Sequence, residues 1–319
     1  MTNYIIRRLL LNLFVIWIVA TLVFVTTDLL PSDFVEKQVA SNLELVDSSK
    51  AVEEARKLLG LDKPLWRRYL VFMTDLARGD LGESYETRKS TWAEMGQRLP
   101  TTLEFGGLLV LVSFAVSIPV GIISAVRQNS WIDNLLRGFS ILALAMPVFF
   151  TAILFILLVL RFDLWTIDIV GSPHLWSDPG GALKLYVIPV LAGGISGGAG
   201  IMRLLRSQML EVMRQDYIRT ARAKGLRDRK IWIVHALKNA MLPVLTVMGL
   251  TISAIVSGQI ILENMFDIDG LGRFLFKRLN LRDFPPFQGT IIMIAFVIVN
   301  VNLVVDIMYA WLDPRIRYS

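Results

Sequence analysis

The chain has no cysteine and only two histidines, His174 and His235, among its 319 residues. A disulfide framework, a Cys/His metal cluster and a Cys/His catalytic dyad therefore cannot be assembled from it. It also has no GxxxxGK[ST] phosphate-binding loop, so we predict that the chain is not a P-loop ATPase. We expect no catalytic residue, no metal site and no cofactor in this chain.

Charge is scarce as well, because charged residues make up 19% of the chain and hydrophobic residues 54%. Such a composition indicates a surface that is partly covered by lipid. Six long stretches carry no charged residue: Leu9–Thr27, Phe105–Val126, Gly138–Leu160, Leu185–Met202, Asn239–Leu262 and Phe284–Val305. Stretches of this length, as helices, cover roughly 27–36 Å, which matches a bilayer core. We predict an all-α polytopic membrane protein with six transmembrane helices.

Lys and Arg are distributed unevenly between alternate connections, and ten of them lie between Arg203 and Lys238. The positive-inside rule therefore predicts that both termini are cytoplasmic. The uncharged run Leu9–Thr27 is longer than the core of a secretory signal, which favours an uncleaved first span.

The spans divide the chain into three parts. Residues 1–29 form the N-terminal tail and first span, residues 30–100 a small extracytoplasmic helical module, and residues 101–319 a five-span core. The core carries a cytoplasmic loop at about residues 203–238.

The extracytoplasmic module is predicted to contain two helices. The first has Ser48 or Ser49 as its N-cap and Gly60 as its C-cap. The second follows Pro64, presents an apolar face at helical spacing and stops at the turn Gly79–Gly82. The later segment Arg161–Lys184 is rich in Pro and Gly and is predicted to be a loop.

The fourth span contains glycines four residues apart, Gly193 with Gly197 and Gly194 with Gly198. They remove side-chain bulk from one side of the helix, which favours close packing of a neighbouring helix. A hinge used in gating is the alternative.

The segment Arg203–Lys238 is too basic to enter lipid and too apolar for a plain solvated loop. Apolar residues at helical spacing predict one helix with a buried Tyr217 and Ala221, ended by Gly225 in a left-handed cap. A second, short helix is predicted from Lys230. Attraction of the basic residues to anionic lipid is the simpler alternative for this segment.

Several sequence blocks, spread over nearly the whole chain, resemble one family. DYIRTARAKGL at Asp216–Leu226, followed by Leu242 and Pro243, resembles the conserved cytoplasmic loop of ABC importer permeases. Five further blocks are similar to the B-type permease of dipeptide, oligopeptide and nickel importers: LGLDKP (Leu59–Pro64), GDLG (Gly79–Gly82), RLPTTLE (Arg98–Glu104), ENMFDIDGLGR (Glu263–Arg273) and DIMYAWLDPRIRY (Asp306–Tyr318).

The resemblance implies the type I ABC importer permease fold and four kinds of partner: a second homologous permease, two cytoplasmic ABC ATPases that bind ATP and Mg, an extracytoplasmic solute-binding protein, and the lipid membrane. The net charge of +6 comes mostly from the predicted cytoplasmic loops, so we expect no nucleic-acid partner. The residues predicted to couple to the ATPases are Asp216, Tyr217, Arg219, Ala221, Arg222, Lys224 and Gly225. The chain departs from the general permease signature, since Arg219 stands where that signature has Glu.

Two further sets of residues are predicted from charge and polarity. Polar residues inside spans usually face the bundle interior, so Ser253, Ser257, Asn300 and Asn302 are candidates for the translocation path; hydrogen bonding between helices is the alternative. Glu263, Asp267, Asp269 and Arg273 are candidates for docking the binding protein, together with the extracytoplasmic module; ordinary exposed loop charge is the alternative.

We therefore predict the permease subunit of an ATP-driven peptide importer in a prokaryotic inner membrane. Nickel chelates and oligosaccharides are alternative solutes. An ion-coupled secondary transporter is the main alternative of another class, although the inner parts of the six spans lack the ionisable residues that such carriers commonly have. A purely structural subunit is a third alternative.

Overall fold

A computed structural model describes residues 2–29, 62–164 and 173–312. These residues are helical, with one isolated β-bridge between Glu83 and Ser90 and no β-strand among them. The helices are α1 (Thr2–Leu29), α2 (Leu65–Ala77), α3 (Thr91–Val126), α4 (Trp131–Ala145), α5 (Val148–Arg161), α6 (Pro179–Met213), α7 (Asp216–Ala223), α8 (Asp228–Lys230), α9 (Leu237–Met265), α10 (Leu271–Asn280) and α11 (Phe284–Leu312). A π-helix, Ile231–Ala236, joins α8 to α9. The predicted caps at Ser48 or Ser49 and at Gly60 lie outside the described residues.

Five stretches are long and apolar enough to cross a membrane as continuous helices: Ile6–Leu29, Thr91–Val126, Pro179–Met213, Asp228–Met265 and Phe284–Ile307. Helices α4 and α5 meet these criteria as a pair that is bent by 116°. The prediction of an all-α polytopic membrane protein is confirmed, with six spans when the bent pair counts as one.

The predicted third span, Gly138–Leu160, is not one straight helix. The chain breaks at Met146, which is extended (φ −85°, ψ 132°), and Pro147 is the N-cap of α5. Proline has no N–H to donate and disfavours helical geometry at the residue before it. The single-helix prediction was wrong because it considered charge and ignored Pro147.

The chain divides into two compact units, residues 1–100 with 270–299 and residues 101–269 with 300–319. In the first unit α2 packs against α1, where the ring of Phe24 lies 5.5 Å from that of Tyr69 and 5.3 Å from that of Phe72. This confirms the predicted helix after Pro64, although its first apolar residue, Leu65, is exposed. The predicted turn follows, with Gly79 and Gly82 at positive φ.

The second unit contains two apolar clusters. One includes Phe105, Leu109, Tyr186 and Leu262 and joins α3, α6 and α9. The other includes Leu205, Met209, Ile218, Ile231 and Val244 and joins α6, α7, the π-helix and α9. Helix α6 is central to both clusters, so it connects the α7 region to the rest of the unit.

Helix α6 starts earlier than predicted. Asp178 is its N-cap, accepting a hydrogen bond from the Gly181 amide at 3.0 Å, and Pro179 occupies the first turn. Proline suits that position because the first amides of a helix have no partner within it. Residues 179–184 are therefore helical, which corrects the predicted loop. The turn before them is held by Glu104, which accepts from the Leu175 amide at 2.7 Å.

The glycines of α6 are sites of close helix packing, as predicted. A Cβ added to Gly198 would lie 2.7 Å from the carbonyl oxygen of Ser113 on α3, and one added to Gly197 would lie 3.0 Å from Ile255 on α9. A Cβ on Gly200 would meet no atom within 4 Å.

Gly198→Ala should therefore lower the stability of the protein by about 1–3 kcal/mol, because the backbone of α3 has to move. Gly200→Ala is the matched control, and it should leave stability unchanged or raise it by up to about 1 kcal/mol, since alanine favours helix. Melting followed by intrinsic fluorescence in detergent would compare the two variants. Equal melting temperatures would contradict the packing at Gly198.

Candidate functional site

The predicted coupling segment forms a short helix with a glycine end. Helix α7 covers Asp216–Ala223, and Gly225 follows with φ +74°. The Gly225 amide donates to the Arg222 carbonyl at 2.9 Å, and the Leu226 amide to the Ala221 carbonyl at 3.3 Å. These are the two hydrogen bonds of a Schellman motif, so the predicted left-handed cap is confirmed.

The predicted single helix from Leu205 through Ala221 was wrong, because the chain breaks between α6 and α7. Gln215 is extended (ψ 149°) and is the N-cap of α7. The break changes the helical phase, so Ile218 is fully buried and Tyr217 is 44% exposed. The predicted burial of Tyr217 is therefore also wrong; its hydroxyl accepts a hydrogen bond from the Asn239 amide group at 2.9 Å.

The predicted coupling residues lie on two faces of α7. Ala221 is buried beside Ile218 in the apolar cluster that includes Leu205 and Met209. The charged members are exposed: Asp216, Arg219, Arg222 and Lys224. Arg219 pairs with Asp216 at 3.3 Å, and Arg222 with Asp228 at 3.8 Å. Exposed pairs of this kind contribute about 0–1 kcal/mol, so a binding partner can replace them at little cost.

The second helix of this segment is not short. It starts at Asp228, continues through the π-helix and runs into α9, so that Asp228–Met265 is one helical stretch. Ile231 and Ala236 on the π-helix are fully buried in the cluster that holds Ile218. Helix α7 is therefore packed directly onto the start of a membrane span.

A buried ion pair that the sequence did not predict lies next to this segment. The guanidinium of Arg206 on α6 donates to both carboxylate oxygens of Asp133, at 2.8 and 2.7 Å. Asp133 also accepts from the Ser124 hydroxyl at 2.6 Å and the Asn129 amide at 2.9 Å, and it is fully buried. This pair joins the end of α3, the following turn and α4 to α6. The only signal in the sequence is the spacing of Ser130 and Asp133, since Ser130 caps α4 by accepting from the Asp133 amide.

The predicted path residues are not gathered at one place. Ser253 on α9 donates its hydroxyl to the side-chain carbonyl of Asn302 on α11, so these two residues form a hydrogen bond between helices. Ser257 donates to the Ser253 carbonyl at 3.0 Å. Ser257 and Asn300 lie exposed on the surface of the described chain.

The predicted docking residues differ in exposure. Glu263 is fully buried on α9, and a buried carboxylate cannot contact a docked protein, so its assignment is corrected. Asp267 is exposed and has a positive φ of 57°, whereas Asp269 and, on α10, Arg273 are half-buried. Three of the four predicted docking residues are thus accessible.

A second unpredicted cluster, which we call the Arg278 cluster, lies in the first unit and consists of Arg278, Glu86, Glu94 and Asp283. The guanidinium of Arg278 lies 2.6 Å from Glu86, 2.7 Å from Glu94 and 3.0 Å from Asp283. Arg278, Glu94 and Asp283 are buried, and the Arg278 guanidinium also lies over the Phe274 ring. Burial raises the pKa of the neighbouring Tyr85 hydroxyl, and the Asp283 carboxylate is a further cause.

Comparison with known proteins gives one family over most of the chain. Residues 117–318 match the binding-protein-dependent transport system inner membrane component, and residues 1–106 match the N-terminal part of such membrane components. The chain is 39% identical to the dipeptide transport system permease protein DppB of Escherichia coli K12, and the match covers 82% of this chain and 84% of that protein. It is 35% identical to the di/tripeptide permease DppB of Pseudomonas aeruginosa UCBPP-PA14 and 32% identical to the glutathione permease GsiC of Escherichia coli O6:H1, with full coverage of both chains in each case.

Proposed function

Because the chain belongs to the family of binding-protein-dependent transport system inner membrane components, we propose that it is the permease subunit of an ATP-driven ABC importer of short peptides. The observation that carries this proposal is the similarity, over 82% to 100% of the chain, to permeases named for dipeptides, tripeptides and glutathione. All three solutes are short peptides or peptide-like molecules. They favour a peptide over the alternatives of a nickel chelate or an oligosaccharide.

We propose that the importer also contains a second homologous permease, two ABC ATPases that bind ATP and Mg, and an extracytoplasmic solute-binding protein. This chain then supplies the route across the membrane and leaves ATP hydrolysis to its partners, with both of its termini in the cytoplasm. Its own contribution to energy conversion is mechanical.

Helix α7 is the proposed contact with an ATPase. Its exposed Arg219, Arg222 and Lys224 suit acidic side chains and carbonyl groups at the rim of a partner groove. Its buried Ile218 lies in the cluster that includes α6 and α9, so a displacement of α7 acts directly on two spans. ATP binding and hydrolysis shift the inward-open and outward-open populations only if the α7 contact differs between them or moves rigidly with the ATPase.

The proposed route for the peptide runs along α9 and α11. The hydrogen bond between Ser253 and Asn302 links α9 to α11, and Ser257 lies one turn further along α9. An uncharged lining of this kind binds a peptide weakly, which suits a passage that has to release varied solutes. Asn300 is the remaining polar candidate on α11.

Import in proteoliposomes tests the proposal. The complex purified with its partner subunits should import a labelled dipeptide only with internal ATP, an external solute-binding protein and peptide together. Dissipation of the ion gradients should leave this import unchanged. Import by this chain alone, driven by a proton or sodium gradient, would instead establish an ion-coupled carrier.

Gly225→Val should uncouple import from ATP hydrolysis. A β-branched residue at φ +74° is strained by about 1–2 kcal/mol. This strain corresponds to a roughly tenfold lower population of the left-handed cap that ends α7, and we expect import to fall by a similar factor. Basal ATPase activity should remain, and its stimulation by the binding protein should be lost.

Gly225→Asn is the matched control, because asparagine tolerates the left-handed conformation and no atom lies within 4 Å of an added Cβ at this position. It should retain most of the import. If Gly225→Val keeps both full import and full ATPase stimulation, α7 is not the coupling element.

A further inference from the structure

A short turn at Ser84–Lys89, which we call the tip turn, is held in one conformation by an unusual number of contacts. Its ends are joined by the bridge of Glu83 with Ser90. The Ser84 amide donates to the Lys89 carbonyl at 2.9 Å, and the Arg88 amide to the Ser84 carbonyl at 3.0 Å. The turn is therefore closed on itself by its own backbone.

The tip turn is also held by contacts with the Arg278 cluster. Asp283 accepts from the Ser84 hydroxyl at 2.5 Å and from the Tyr85 amide at 2.9 Å. Glu86 pairs with Arg278, and the Thr87 hydroxyl donates to Glu94 at 3.2 Å. Four consecutive residues of a surface turn thus contact groups of one largely buried ion cluster.

This scaffold leaves two basic side chains exposed at the end of the turn. Arg88 and Lys89 are exposed, and neither side chain makes an ion pair or hydrogen bond within the described part of the chain. Arg88 also has a positive φ of 57°, a conformation that is uncommon outside glycine and persists where the surroundings impose it. The fold therefore holds the backbone of this turn in place and leaves the two cationic side chains that it carries accessible to a partner.

We propose that the tip turn docks the solute-binding protein through Arg88 and Lys89, which contact an acidic area of that protein. The inference rests on the proposed function, because it assigns one contact surface to the partner that delivers the peptide. Complementary charges at a protein interface accelerate association and set its orientation. A turn that is already ordered loses little conformational entropy on binding.

The charges on the turn favour a protein partner over an anionic lipid surface. Glu83 and Glu86 are exposed beside Arg88 and Lys89, so the exposed segment has no net positive charge. Binding to anionic lipid requires an excess of basic residues. A mixed set of charges on a backbone that is held in one conformation is instead typical of a complementary protein surface.

The experiment measures the concentration of solute-binding protein that gives half-maximal dipeptide import in proteoliposomes containing the complete complex. The probe is the solute-binding protein that supports import by the wild-type complex. Arg88→Glu with Lys89→Glu should raise this concentration about tenfold while the maximal rate stays near that of the wild type. The difference should shrink at high salt, since exposed charges are screened.

Arg161→Glu with Lys184→Glu is the matched control, because both residues are exposed, and the segment Arg161–Lys184 that they bound lies outside the extracytoplasmic module and the other predicted docking residues. It should change the half-maximal concentration less than twofold. Arg88→Ala with Lys89→Ala removes the charges without reversing them and should give a smaller shift of about threefold.

The possible results separate docking by the tip turn, a contact with lipid and a failure of the proposed function. An unchanged half-maximal concentration in the tip-turn variants, or an equal shift in the control, overturns the inference and leaves the importer in place. A defect that follows the anionic lipid content of the vesicles at saturating binding protein overturns it in favour of a lipid contact. A wild-type complex whose import needs no binding protein contradicts the proposed function itself.

Discussion

Arg278→Met should lower the apparent melting temperature by roughly 5–7 °C, because it removes the guanidinium that pairs with three carboxylates. Breaking a buried ion pair costs about 3–5 kcal/mol, and a protein of this size loses about 1.5 °C per kcal/mol, because the shift falls as the chain gets longer. Glu94 and Asp283 are buried, so water cannot replace the lost guanidinium. Arg98 lies over the same Phe274 ring and donates to the Glu94 main-chain carbonyl. Intrinsic fluorescence of the eight tryptophans provides the measurement.

Two variants separate the buried partners of Arg278 from the exposed one. Glu86 is 46% exposed, so Glu86→Gln should cost no more than about 1 kcal/mol. Arg278→Lys keeps the charge but cannot reach three carboxylates with one ammonium group, and it should fall between the wild type and Arg278→Met. If Arg278→Met melts within 2 °C of Glu86→Gln, the cluster does not hold this region together.

Local sequence rules were sufficient to predict the end of α7, because a single residue indicates it. Gly225 indicated a left-handed cap, and the structure has it with both Schellman hydrogen bonds. The break at Gln215 had no such signal, because Arg214 and Gln215 are ordinary helix-forming residues. The burial of Ile218 in the cluster around Leu205 and Met209 depends on tertiary packing, which a periodic pattern in the sequence does not contain.

Unlike the break at Gln215, the break between α4 and α5 is indicated by the sequence. Pro147 lies in the middle of an uncharged stretch, and the residue before a proline is disfavoured in a helix. Counting charged residues identifies stretches that can enter a membrane, but it does not test whether each stretch can remain helical throughout. Proline inside such a stretch has to be examined separately, because Pro189 and Pro243 lie within continuous helices.

The two buried ion clusters could not have been predicted from local patterns. Arg278 binds Glu94 across 184 positions of sequence, and Ser84 binds Asp283 across 199. Each of these residues alone resembles an ordinary charge in a connecting segment. For this reason Glu263, Asp267 and Asp269 were grouped by sequence proximity, although Glu263 is buried and Asp267 exposed.

Arg206→Met should destabilise the protein by about 3–5 kcal/mol, which lowers the melting temperature by roughly 5–7 °C. The substitution leaves the fully buried Asp133 carboxylate with only the Ser124 hydroxyl and the Asn129 amide as donors. Those two donors do not supply the positive charge that a carboxylate needs away from water. Arg203→Met is the matched control, since Arg203 is exposed one turn earlier on α6, and it should cost less than about 0.5 kcal/mol.

The double variant Arg206→Met with Asp133→Leu separates stability from coupling. Replacing both members of a buried pair by apolar residues is often neutral for stability, although here Ser124 and Asn129 lose their acceptor and recovery should be partial. The ion pair joins the end of α3 and the start of α4 to α6 beside Leu205 and Met209, which hold α7. A double variant that regains its melting temperature but still hydrolyses ATP without import would show that the geometry of this joint, and not only its stability, carries the movement of α7 to the spans. Full recovery of import would limit the role of Asp133 and Arg206 to folding.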